Sequence, residues 1–271
     1  MNCRLGAAPF VLILGAFPAY GQQPPGEVHV RNSSYWSAYE GRQSTVQLRN
    51  NLLNAAITVA PILYLGNGTA TELDPIVLPP QANVALDINR VLLDKGLPPD
   101  AEGSIAFRYT GNANALSAET PIVQAEHSFS YTIPSYEQRA SSPHQYFAYF
   151  RPSPNSEIYL ALQNTSDQTL RVEPALQIGN RTVTLASRTV GSHQTRTLHL
   201  PDDLDEATQA LFAANEVGGL TMNVPEGPAS ALNTSGWVED GALGFSTMLS
   251  FHDPAMAGSR QLFGTQILFG E

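Results

Sequence analysis

Apolar and polar residues alternate at period two along much of the chain. In the segment from 44 to 50, Val46 and Leu48 are interleaved with Gln47 and Arg49. Successive side chains of a β-strand point to opposite faces, so this alternation predicts a strand with one face buried. The same pattern predicts further strands at 57–65, 158–163, 170–173, 182–185 and 195–198.

Turn-forming residues separate these segments. Glycine, asparagine, proline or serine cluster at 66–68, 79–80, 179–180, 191–192 and 225–228. Glycine and asparagine tolerate the positive φ of tight turns, and proline interrupts a strand. Short strands with turns about every ten residues, in modules of about a hundred residues, are typical of a β-sandwich. The pattern therefore predicts an all-β fold.

Two segments break this rhythm with helical spacing. After Pro201 and two aspartates, apolar residues recur at Leu204, Ala207, Leu211 and Phe212. Acidic residues favour the first turn of a helix, where the helix dipole is positive. The segment 88–93 follows Asp87 and is closed by Gly96, a typical C-terminal stop. We expect a short helix in a late connection of each module.

The chain also resembles itself at an offset of 113 to 116 residues. Leu48 and Asn50 match Leu162 and Asn164. The matches continue in order through Pro61 with Pro174, 65–67 with 178–180, 103–105 with 218–220, and 128–130 with 244–246. An ordered series across a hundred residues predicts an internal duplication.

This duplication divides the chain into a series of segments. We predict a signal peptide at 1–21, a disordered lead-in at 22–34, a first module at 35–134, a linker at 135–143 and a second module at 144–255. Residues 256–271 match the opening of the second module. They are either the start of a third copy or a strand that caps the second module, and the sequence leaves both alternatives open.

Strands ending in asparagine, a proline-bearing strand, a Gly-Asn turn and a late short helix resemble the repeats of uncharacterised secreted bacterial proteins described as immunoglobulin-like. The resemblance covers 44–254. It implies two tandem immunoglobulin-like β-sandwich modules in an extracytoplasmic array, and it transfers no functional residue.

The N-terminus has the order of a secretory signal. Arg4 gives a short positive region, an apolar stretch runs from 5 to 17, and Ala19 and Gly21 supply the small residues read by a signal peptidase. A membrane anchor would need about 20 apolar residues. Cleavage after Gly21 would remove Cys3, the only cysteine, so the mature chain would have no disulfide. We expect a secreted or extracytoplasmic protein, in the periplasm or at the cell surface, with no transmembrane segment after cleavage.

The net charge of −10 argues against a nucleic-acid partner, because phosphate backbones attract basic surfaces. The single lysine, Lys95, against thirteen arginines, together with many alanines, suggests a GC-rich bacterial genome.

Catalytic and metal-binding patterns are not apparent in the sequence. Gly191-Ser192-His193 lacks the second glycine of a nucleophile elbow. His193 and His199 would lie about 20 Å apart along a strand, too far to share an ion. The acidic run 202–206 is explained by a helix N-terminus. We therefore predict no enzymatic activity, no cofactor and no metal.

Asparagine sequons and aromatic clusters have simple structural explanations. Sequons occur at Asn32, Asn67, Asn164, Asn180 and Asn233, and we interpret them as turn chemistry rather than glycosylation sites. The aromatic clusters that open each module, at 35–39 and 146–150, are expected to pack in the cores or between modules. Trp237 follows a polar stretch and is the candidate ligand-contact residue.

The function that this pattern favours is a structural, adhesive or protein-interaction array without enzymatic activity. Its partner would be an extracellular or cell-envelope protein or a glycan. A carbohydrate-binding protein that uses Trp237 is the first alternative. A periplasmic assembly chaperone is the second, although no basic pair stands near the linker.

Overall fold

The computed structural model describes residues 26–137 and 145–249, and the backbone of 144, 251 and 252. These residues form antiparallel sheets with only two α-helices, so the all-β prediction is confirmed. We call residues 26–137 the first half and 144–252 the second half. No helix within these ranges is long and apolar enough to cross a membrane.

The first half contains nine strands and one helix. These are β1 (Val28–Ser37), β2 (Gln43–Asn50), β3 (Ile57–Leu65), β4 (Ala70–Glu72), β5 (Ile76–Leu78), β6 (Asn83–Asp87), α1 (Ile88–Lys95), β7 (Glu102–Thr110), β8 (Leu116–Gln124) and β9 (Phe129–Glu137).

The described part of the second half contains ten strands and one helix. These are β10 (His144–Phe150), β11 (Glu157–Asn164), β12 (Leu170–Ile178), β13 (Arg181–Thr184), β14 (Arg188–Val190), β15 (Thr195–His199), α2 (Glu206–Ala213), β16 (Val217–Glu226), β17 (Leu232–Asp240), β18 (Phe245–Met248) and β19 (Phe251–His252).

Strand β9 joins the two arms of the first-half sheet. The strand order is β4-β3-β7-β1-β9-β8-β2-β6, with β5 also paired to β3. Residues 129–134 of β9 pair with β8, and residues 135–137 pair with β1. Buried side chains from both arms, among them Leu48, Leu63 and Phe107, form one hydrophobic core.

The second half has the same pairings in the same order. Strand β2 pairs with β6 and β8, as β11 pairs with β15 and β17. Strand β3 pairs with β4, β5 and β7, as β12 pairs with β13, β14 and β16. Strand β1 pairs with β7 and β9, as β10 pairs with β16 and β19. These strands form two sheets, in the orders β13-β12-β16-β10-β19, with β14 paired to β12, and β15-β11-β17-β18. A second hydrophobic core includes Leu160, Val172 and Leu220 from these sheets.

Asn50 and Asn164 make equivalent hydrogen bonds at the ends of β2 and β11. Both side chains are fully buried. Asn50 Nδ2 donates to the carbonyls of Leu78 (3.0 Å) and Pro79 (2.9 Å), and its Oδ1 accepts from Leu52 N. The corresponding partners of Asn164 are the carbonyls of Val190 (3.2 Å) and Gly191 (2.8 Å) and the amide of Ser166. One carboxamide thus satisfies several buried backbone groups in each half.

Both predicted helices are confirmed, with one shifted start. Helix α1 begins after Asp87, whose carboxylate accepts from Arg90 N, and it ends before Gly96, whose φ of 64° is left-handed. Helix α2 begins later than Pro201, which instead lies in a 3₁₀ turn. The helix starts after Asp205 because the Asp205 carboxylate caps Thr208 N at 2.8 Å.

Two predicted segment boundaries are wrong. Residues 28–34 belong to β1 rather than to a disordered lead-in, although many of them are polar, because the side chains of His29, Arg31 and Ser33 find partners inside the sheet. Ser33 Oγ, for example, lies 2.9 Å from Thr120 Oγ1. Residues 135–137 of the predicted linker are likewise in β9, paired to β1. The predicted signal peptide and the predicted third copy lie outside the described residues.

Candidate functional site

The two halves meet at a junction built largely of aromatic rings. A third buried cluster joins Tyr35, Ile122, Tyr131 and Ile133 of the first half to Ala161 and Trp237 of the second. The opening cluster of the first half is divided here, because Trp36 lies in the first core while Tyr35 faces the junction. The expectation that these rings pack in a core or between modules is confirmed for both residues.

Trp237, the candidate contact residue, lies in β17 at the centre of this junction and is only 1% exposed. Its ring stacks with Tyr35, Tyr131 and Tyr159 at centroid distances of 4.6, 5.3 and 5.6 Å. Its indole N–H donates to Glu239 Oε1 at 3.0 Å. With its ring enclosed by three tyrosines, Trp237 has no free face on which a sugar could stack in this arrangement of the halves.

A buried ion pair crosses the junction next to Trp237. Arg42 Nη2 of the first half lies 3.2 and 3.0 Å from the two carboxylate oxygens of Glu239 of the second half. The two side chains are 9% and 5% exposed. Burial opposes the charged form of Arg42, but the Glu239 carboxylate outweighs this and raises the pKa of Arg42. Arg42 therefore keeps its charge in this buried position beside Glu239.

Polar contacts surround the aromatic centre of the junction. The hydroxyls of Ser34 and Ser235 are hydrogen-bonded to each other. Glu102 accepts from Tyr35 Oη at 2.8 Å and from Thr197 Oγ1 at 2.9 Å, so its carboxylate links the two halves. Ser34 and Glu102 of the first half therefore each have a hydrogen-bond partner in the second half.

A glycine turn lets the backbones of the two halves approach closely. The predicted turn at 66–68 joins β3 to β4, and Gly66 O accepts from Thr195 N at 3.2 Å. Gly68 has a φ of 88°, and a Cβ there would lie 2.4 Å from Ser192 O. Only glycine meets both requirements, so this turn is fitted to the 191–193 turn of the second half.

A cleft of about 130 Å³ opens beside this contact. Its polar lining comes from both halves: Asn32, Tyr64, Arg108, Gln163, Thr165 and His193. Tyr64 and His193 stack at a centroid distance of 4.9 Å, and His193 Nε2 lies 2.9 Å from Asp167 Oδ1. Burial raises the pKa of Tyr64, and nearby Arg108 opposes that effect.

The His193 ring is held in place both by its backbone conformation and by its neighbours. Its φ of 52° lies in the left-handed region, which residues other than glycine adopt infrequently. The neighbouring Tyr64 ring and the Asp167 carboxylate then fix the orientation of the imidazole. The sequence around His193 predicts only an ordinary surface residue, because Tyr64, which stacks on its ring, comes from the other half of the chain.

His193 and His199 occupy separate sites. His199 Nε2 lies 2.6 Å from Glu157 Oε2, and His199 Nδ1 lies 3.1 Å from Asp202 Oδ2. Among the residues that the structure describes, no group of three or more His, Cys, Asp or Glu side chains is arranged to hold a metal ion.

Asn67 and Asn180 are exposed in the turns between β3 and β4 and between β12 and β13, whereas Asn32 and Asn164 are buried. Asn67 Oδ1 accepts from Thr69 N at 2.9 Å, which is the turn chemistry expected of an asparagine there.

Neither a protein-family model, nor a curated protein, nor a solved structure shows detectable similarity to this chain.

Proposed function

We propose that the chain is a non-enzymatic extracytoplasmic protein with a structural or adhesive role, built from two immunoglobulin-like β-sandwich modules in tandem. The matching strand pairings of the two halves support a duplicated module. The equivalent hydrogen bonds of Asn50 and Asn164 support it independently, because these bonds involve side chains rather than backbone pairing alone.

The observation that carries the structural role is the buried junction. A flexible tether between modules would leave their facing surfaces polar and hydrated. Here Trp237 is enclosed by three tyrosines, and Arg42 and Glu239 are desolvated together. Such a junction favours a spacer that holds its two modules at a fixed angle.

Solution measurements on residues 22–271 test this role. We expect small-angle scattering to fit one rigid particle and NMR relaxation to give one rotational correlation time for both halves. Trp237→Ala is the perturbed variant, and Leu243→Ala, at an exposed position in the turn after β17, is the matched control. Independent tumbling of the halves in the parent protein would contradict the rigid-spacer role.

Adhesion and catalysis are tested with the same material. Beads coated with residues 22–271 should bind bacterial cells or cell-envelope fractions more than beads coated with heat-denatured protein do. The non-enzymatic part of the proposal fails if the protein turns over substrates in a broad panel of esters, glycosides and peptides.

The extracytoplasmic location rests on residues 1–21. Expression of the full chain in a bacterium should yield a periplasmic or secreted product whose N-terminus is Gln22. Recovery of the intact chain in the cytoplasm would contradict this location.

A further inference from the structure

Two buried carboxamides in the cleft lack a full set of protein partners. Asn32 is 5% exposed and Gln163 is 2% exposed. Within the described ranges, the side chain of Asn32 makes no hydrogen bond. The bond between Asn233 and this residue goes from Asn233 Nδ2 to the Asn32 backbone carbonyl. Gln163 uses its Oε1, which accepts from Asn233 Nδ2 at 2.8 Å, and leaves its own N–H groups unused. The unused amide atoms are not among the fully enclosed unpaired atoms of the described residues, so they are open to the cleft, where a ligand or ordered water can pair them.

The unused groups are mainly hydrogen-bond donors. Asn32 and Gln163 each offer an unused amide NH₂, and the exposed Arg108 guanidinium lines the same cleft. The side chain of Arg108 forms no ion pair or hydrogen bond with any other residue of the described ranges. An arginine beside amide donors matches the oxygens of a carboxylate, which accepts several hydrogen bonds at once.

Size and charge limit the ligand further. The cleft volume of about 130 Å³ is slightly below the roughly 150 Å³ of a protein cavity that holds benzene, so the cleft has room for a small ligand group. The carboxylates of Asp167 and Glu72 lie near Tyr64 and raise its pKa, so they add negative charge beside the cleft. Asp167 is paired with His193. A singly charged group is therefore favoured over a polyanion. We infer that the junction cleft binds a small carboxylate, either free or carried on a sugar residue.

Titration with defined probes tests this inference. Acetate, glucuronate and uncharged glucose are added separately to ¹⁵N-labelled residues 22–271 at constant ionic strength. We expect saturable shifts with acetate and glucuronate in the side-chain amide signals of Asn32 and Gln163. Arg108→Gln should weaken this binding by about tenfold or more, because it removes a charge-assisted hydrogen bond. Arg49→Gln, an exposed arginine on β2 outside the cleft, is the matched control and should bind like the parent.

Each outcome decides the inference. Binding of both acids supports recognition of the carboxylate alone, and binding of glucuronate but not acetate supports a carboxylate carried on a sugar. Glucose binding as well as glucuronate would overturn the assignment to a carboxylate. An equal loss of binding in Arg49→Gln, or no saturable shift with any probe, would overturn the site itself.

Discussion

Replacing Trp237 with alanine should strongly destabilise the protein. The side chain is 1% exposed and contacts three tyrosines drawn from both halves. Truncation of a buried tryptophan to alanine costs about 3–5 kcal/mol, because apolar burial is lost and a cavity remains. Glu239 also loses its indole donor. We therefore expect a loss of about 4 kcal/mol in the free energy of unfolding.

Urea denaturation measures this loss. The second tryptophan, Trp36, lies in the first core and still reports fluorescence when Trp237 is absent. We expect circular dichroism and fluorescence to give coincident transitions in the parent protein. In Trp237→Ala the midpoint should fall, and the two signals should separate as the halves lose their common interface.

Trp237→Phe is the matched control for the ring. It keeps an aromatic side chain at the junction but removes the hydrogen bond to a charged acceptor, so we expect a loss of about 2 kcal/mol. Exposed substitutions usually change stability by about 0.5 kcal/mol or less. A loss of that size in Trp237→Ala would refute the buried junction, and it would restore Trp237 as a candidate ligand contact.

Three further predictions follow from buried polar groups. Glu239→Gln should cost about 3 kcal/mol, measured by urea titration, because it leaves a buried arginine uncompensated; a loss below about 1 kcal/mol would contradict this. Asn164→Leu should lower the free energy of unfolding by at least about 3 kcal/mol, because it leaves several buried backbone groups without a hydrogen-bond partner. Asn180→Leu, at an exposed turn, should lower it by about 0.5 kcal/mol or less. Similar losses in the two variants would contradict the role of the Asn164 hydrogen bonds. Burial lowers the pKa of His29, but its hydrogen bond to Glu137 and one to a backbone carbonyl outweigh burial and raise it. The stabilisation is therefore fully present below the ordinary histidine pKa of about 6.5 and is lost as pH rises through the raised value. The stability difference between the parent and His29→Gln should accordingly shrink between pH 6 and pH 9, and a pH-independent difference would exclude this titration.

Period-two alternation was sufficient to predict strands that have one face on a core. In β2, Val46 and Leu48 are buried while Gln47 and Arg49 are exposed, as the pattern predicted. The equivalent strand β11 also buries Ala161 and Gln163, because its outer face lies against the other half. Alternation predicts only that one face of a strand lies on a core. It therefore did not predict that the outer face of β11 is buried against the other half.

The junction pair could not be predicted for a different reason. Arg42 and Glu239 are 197 positions apart, and neither stands in a local motif. A charged residue followed by polar neighbours is most often exposed. Only the three-dimensional contact of the halves shows that these two charges are desolvated together. The chemistry of the cleft was missed likewise, because its donors come from β1, β7 and β11.

The buried asparagines also bear on how much each half can vary. From Asn50 the side-chain amide reaches the carbonyl of Ala55, five positions on, whereas from Asn164 it reaches that of Gln168, only four positions on. The equivalent asparagine side chains thus close loops of different length. Each also donates to a carbonyl at the end of a neighbouring strand, β5 in the first half and β14 in the second. A one-residue insertion in such a loop need not shift the register of any strand. Loops anchored in this way allow insertions as two copies diverge, which agrees with the drift of the internal offset between 113 and 116 residues.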